Sequence, residues 1–131
     1  MRLQTTRLLG VLALGGVMLT STACLPNMGG DSDRQAACDN IVRELNELPS
    51  RATQQLGNPS AMIQAYEETA NNIRTEGRKA GGDVQEAAEN VASDLESLAQ
   101  TIRNASNGNL TMPDVNKITE SGNKLRAACT G

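Results

Sequence analysis

The sequence contains no histidine, no tryptophan and no phenylalanine, and Tyr66 is its single aromatic residue. Without histidine the commonest general base and metal ligand is missing, so neither a Ser-His-Asp nor a Cys-His arrangement can be assembled, and a zinc site fails likewise. With one aromatic ring in the chain, the usual stacking platforms for bases or sugars are missing. Charge points the same way. There are 12 Lys and Arg against 15 Asp and Glu, a net charge of −3, and removal of the start of the chain with Arg2 and Arg7 would take it to −5. Such a balance opposes a polyphosphate partner, so nucleic acid is not expected. A long apolar run is also lacking. Leu8 to Leu19 is interrupted by Gly10, Gly15 and Gly16 and gives way to Thr20-Ser21-Thr22, too short for the roughly 20 residues that cross a hydrocarbon core.

What that stretch does resemble is an export signal. Arg2 and Arg7 supply a positive start, the run to Leu19 an apolar middle, and Ser21-Thr22-Ala23 small residues for cleavage before Cys24. Residues 1–23 are therefore expected to be a signal peptide. Small residues ending in Ala23 and followed by Cys24 resemble the lipobox of bacterial lipoproteins, although Ser21 stands where that motif usually has a branched apolar residue. The resemblance implies a lipid on Cys24 and anchoring to the outer face of a cell membrane. Ser21 and Ala23 also satisfy the small-x-small rule of ordinary secretion, which would release the protein with Cys24 free or bridging two chains. Cysteine number bears on the choice. The three cysteines are Cys24, Cys38 and Cys129, and an exported chain with an odd count must account for one of them. Lipid on Cys24 would leave Cys38 and Cys129 to pair.

Along the rest of the chain, residues 24–35 carry Pro26, Gly29, Gly30, Asp31, Ser32 and Asp33 with no apolar period, and read as a flexible tether. Residues 36–131 read as one all-α domain. Cys38, Ile41, Leu45, Leu48, Ala52 and Leu56 are spaced as one face of a helix, with Pro49 expected to kink or break it. Gly57-Asn58-Pro59 stops this helix and starts a second over about Ser60 to Lys79, with Ile63, Tyr66, Ala70 and Ile73 on its apolar face. Gly81-Gly82 turns the chain, and Asp83 with Glu86 suggests a capping box for a third helix. That helix repeats Val84, Ala88, Val91, Leu95, Leu98, Ile102 and Ala105 at alternating steps of four and three, which makes it the central packing element. Asn107-Gly108-Asn109 ends it. Thr111 with Asp114 suggests the cap of a fourth helix, which would carry Val115, Ile118, Gly122, Leu125 and Cys129 on one face.

Four antiparallel helices put the start of the first and the end of the fourth at the same end of a bundle, where Cys38 and Cys129 stand. Three would separate them. The expected fold is thus a small antiparallel four-helix bundle closed by a Cys38–Cys129 disulfide, worth about 4.6 kcal/mol for a loop of roughly 90 residues in the chain-entropy model.

Chemistry-bearing constellations are few. Glu86 with Glu89, or Asp94 near Glu96, could be drawn as an acid/base or Ca²⁺ pair, but carboxylates off the apolar face of a helix are first of all solvation. Asn104-Ala-Ser and Asn109-Leu-Thr match the glycosylation sequon and read as chance beside a bacterial type of signal. A small-molecule or ion site would have to lie between helices, where Met62, Tyr66, Ala88 and Gly122 are the candidates to line it. No metal and no cofactor is expected.

The layout of signal, cysteine, Gly/Ser/Asp tether and helices closed by Cys129-Thr130-Gly131 resembles the small Ala-rich exported lipoproteins of actinobacteria. The resemblance implies a cell-envelope setting and transfers no functional residue. The expectation is a non-enzymatic envelope protein that meets another envelope or extracellular protein, with a carrier as the alternative.

Overall fold

The computed structural model describes residues 26–131, with side chains from residue 31 onward; the export segment and Cys24 lie outside the described residues. The described part is all-α. It comprises α1 (Pro26–Gln54), α2 (Pro59–Ala80), α3 (Gly82–Ser106) and α4 (Val115–Thr130), and residues 33–131 form one compact unit. Cys38 and Cys129 are joined by a disulfide, with Cα atoms 5.5 Å apart.

Side-chain pairs between helices give the topology. Arg34 near the start of α1 reaches Asp83 at the start of α3 and the Ala128 carbonyl at the end of α4, each at 3.0 Å. Asn40 donates to Glu76, late in α2, at 3.3 Å. Arg103 at the end of α3 donates to Glu67, early in α2, at 2.7 Å. The helices therefore run alternately up and down, and the disulfide lies where α1 starts and α4 ends.

The core follows from the helical period. Ile41, Ala70, Ile73, Val84, Ala88, Val91, Ala92, Leu95 and Leu125 are buried, and Leu45, Tyr66 and Cys129 pack against them. Burying a branched side chain such as Ile73 or Leu95 contributes about 1.5–3 kcal/mol, so a handful of these positions carries the domain. Small residues set the spacing. Gly77 of α2 lies against the Ala88 methyl of α3 so closely that a Cβ at Gly77 would collide with it. The α2–α3 pair and the α3–α4 pair bring their backbones together, whereas α1 stands farther off and reaches the core through its side chains.

The ends of the helices depart from the sequence expectation in several places. The helix assigned to the stretch after residue 36 starts at Pro26, through most of the expected tether. Proline suits a first helical turn, and a helix nucleated at Ala37–Ile41 can extend backwards at one hydrogen bond per residue. Two glycines on the way cost about 1 kcal/mol each without forbidding it. Pro49 does not break α1, which continues to Gln54, and the Pro49 carbonyl accepts from Thr53 Oγ1 at 2.8 Å. Leu56 falls beyond the helix end, in a turn closed by Asn58 N to Gln55 O at 2.8 Å, and is exposed rather than on a buried face.

At α2 the expected chemistry holds, with Asn58 Oδ1 accepting from Ala61 N and Pro59 in the first turn. Gly81, with φ of 70°, serves as the cap between α2 and α3. This left-handed backbone favours glycine, and it leaves Asp83 inside the first turn of α3 rather than at the expected capping position. For α4 the cap is Asp114, which accepts from Asn116 N and Lys117 N, and not Thr111. Val115 then becomes the first helical residue and faces solvent.

Candidate functional site

The residues that stand out chemically lie at the end of the bundle away from the disulfide. The α1–α2 turn carries Leu56 at 71% exposure, and the α3–α4 loop with the first residue of α4 carries Leu110 at 87%, Met112 at 96% and Val115 at 61%. Both connections fall at the same end by topology. An exposed leucine alone is ordinary, but three large apolar side chains within six residues have no structural duty in the folded chain. The loop holds them out. After Gly108, at φ of 89°, residues 109–114 are not helical, and Pro113 and Asp114 line a surface hollow together with Leu98, Thr101 and Ile118. Around this end the charges are internally balanced, with Arg51 paired to Glu47 at 2.7 Å and to Glu44 at 3.4 Å, and Arg103 paired to Glu67.

The carboxylates read from sequence as solvating residues include two with a structural task. Arg74 of α2 donates to Glu89 and, through both terminal nitrogens, to Glu96 of α3 at 2.8 and 3.2 Å. The hydrogen bond from Arg74 holds the Glu96 carboxyl below its ordinary range, and the two carboxylates raise the Arg74 guanidinium. Glu76 is drawn up by burial, but the bonds from Lys79 and Asn40 outweigh this and leave it lowered. Glu96 and Glu76 are thus ionised clamps between helices rather than poised acids. Among the described residues no group of three or more potential donors is placed to hold a metal ion.

The four residues proposed to line a pocket are not brought together. Pairing of Gly77 with Ala88 places Ala88 toward the disulfide end, whereas Tyr66 lies 11 residues earlier on α2, about 16 Å away along the axis. Met62 is a further turn away. Ala88 is small because the α2 backbone crosses there, and Gly122 is buried on α4 with room beside it for a methyl group. Tyr66 is half-buried and packs on the core, which raises its hydroxyl pKa through desolvation. None of these four residues lines any of the five surface hollows described.

No described helix is long and apolar enough to cross a membrane. No protein-family model matches the chain, and no curated protein or solved structure is significantly similar to it.

Proposed function

We propose that the protein is a non-enzymatic, lipid-anchored component of the cell envelope that presents its helical bundle to another protein at the membrane surface. The export-type start joined to Cys24 supports the setting, and a lipid there would also account for the odd cysteine beside the Cys38–Cys129 disulfide. The observation that supports the interaction role is the apolar cluster Leu110, Met112 and Val115, exposed next to balanced charges. Anchoring on a surface raises the effective concentration of a partner on the same surface, so a patch of this small size can suffice.

Two measurements test the reading. The intact mass of the protein purified from its own cells should begin at Cys24 and include a diacylglyceryl group, with two thiols appearing only on reduction. A free, unmodified Cys24 would instead make it a secreted protein. A photoreactive residue at position 112, in intact cells, should give a discrete adduct that Leu110→Asp abolishes and that the same probe at position 78 does not give. Identical adducts from both positions would remove this end of the bundle as the interaction surface.

A further inference from the structure

We infer that α1 is a redox-releasable strap: reduction of the Cys38–Cys129 disulfide frees it from a remaining α2–α3–α4 unit, uncovering the apolar face it covers. The inference does not depend on the function proposed above. Its first support is the asymmetry of packing, because α2–α3 and α3–α4 bring their backbones together whereas α1 stands off. Second, what α1 gives the core is a narrow row, Ala37, Cys38, Ile41 and Leu48 with the partly buried Leu45, laid on a cluster containing Ile73, Val91 and Leu125. Third, its polar ties to the other helices are partly or fully open to water: Arg34 to Asp83 and Arg126 to Asn46 are exposed, and Arg34 to Ala128 O and Asn40 to Glu76 are half-buried.

The helix is also weak by itself. Gly29 and Gly30 favour the unfolded chain, Asn40 and the Asp31-Ser32-Asp33 run are poor helix formers, and Pro49 removes one ladder hydrogen bond. Isolated helices of modest length are marginal in water even with good sequences. Covalent closure across 91 residues is therefore the strongest single tie of α1 to the rest. The bond is also open to attack, since Cys129 is only partly buried although Cys38 is 6% exposed.

A dithiol reductant accomplishes the release. One of its thiolates attacks Cys129 Sγ, the Cys38 sulfur leaves as thiolate and takes a proton, and the second thiol of the reductant resolves the mixed disulfide. Cys129 is then a thiol, and the reductant carries the new disulfide, two electrons having moved.

Hydrogen exchange followed by mass spectrometry, on the protein from its own cells before and after dithiothreitol, tests this. The expected result is that amides over residues 33–54 exchange about 10-fold faster or more after reduction, whereas those over residues 63–99 change by less than about 2-fold. The Cys38→Ser, Cys129→Ser double variant should reproduce the reduced pattern without reductant. Acceleration spread evenly over all four helices would show a single cooperative unit and overturn the inference, as would unchanged protection in α1.

Discussion

Gly77 of α2 and Gly122 of α4 both occupy buried positions, and the same substitution should act on them in opposite directions. Gly→Ala inside a helix gains about 1 kcal/mol from the unfolded chain and the helix propensity. At Gly122 nothing lies within 4 Å of where the Cβ would go, so the gain stands alone. Gly122→Ala should therefore raise the urea midpoint, by up to about 1 kcal/mol in stability. At Gly77 the new methyl meets the Ala88 methyl, which has no rotamer to move, and α2 and α3 must separate. Overpacking of this kind costs about 1–3 kcal/mol, which exceeds the propensity gain, so Gly77→Ala should lower the midpoint. A stabilising Gly77→Ala would mean that the α2–α3 approach is looser than described. Neither role was readable from sequence. Gly122 stood in a small-residue position suggestive of a pocket, and nothing in the sequence set Gly77 apart, because a contact between helices depends on their register.

Among the elements, α3 was the most legible and α1 the least. The unbroken steps of four and three from Val84 to Leu95 left α3 one way to bury its face, and Val84, Ala88, Val91 and Leu95 are all buried. In α1 the proline and glycines were read as local punctuation, whereas the buried residues from Ala37 to Leu48 hold a helix that extends past them on both sides. Loop boundaries marked by Gly57-Asn58-Pro59 and Gly81-Gly82 were read correctly because their chemistry is local. The caps of α3 and α4 were misplaced by a few residues because Asp83, Thr111 and Asp114 are all competent caps, and the turn geometry chooses among them. Pro49 offers the test at this scale. It lies exposed inside α1, lacks the N–H that would bond Leu45 O, and crowds that carbonyl. An interior proline costs about 3 kcal/mol, and the entropy it removes from the unfolded chain returns under about 1. Pro49→Ala should thus stabilise the oxidised protein by about 1–3 kcal/mol in urea unfolding. No change would place the proline at a relaxed helix irregularity.

For the molecule as a whole, the ion pairs that join helices make stability depend on pH with a definite sign. Glu96 is lowered by its hydrogen bond from Arg74, and Glu76 stays lowered despite burial through Lys79 and Asn40. A carboxylate whose folded pKa lies below its unfolded value stabilises the fold fully above the unfolded pKa, near 4.3, and loses that contribution as pH falls through the folded value. Stability should therefore be level from about pH 7 to 5 and decline below about 4.5. Arg74 is the group to remove, because it faces Glu89 and Glu96 across the α2–α3 contact and stays charged throughout. Arg74→Met keeps the apolar stem and deletes the charge. The variant should melt below the parent at pH 7, and the gap should shrink as pH falls below the ordinary glutamate range and the Glu96 carboxylate takes up its proton. These side chains are partly exposed, so the gap should also narrow in salt, on the scale of a Debye length of about 10 Å at 0.1 M. A gap that stayed constant from pH 7 to 3 would assign the effect of Arg74 to packing of its stem. Register again explains why sequence could not show this clamp. Glu89 and Glu96 lie 15 and 22 residues from Arg74, and only the antiparallel pairing fixed by Gly77 and Ala88 brings one guanidinium between two carboxylates.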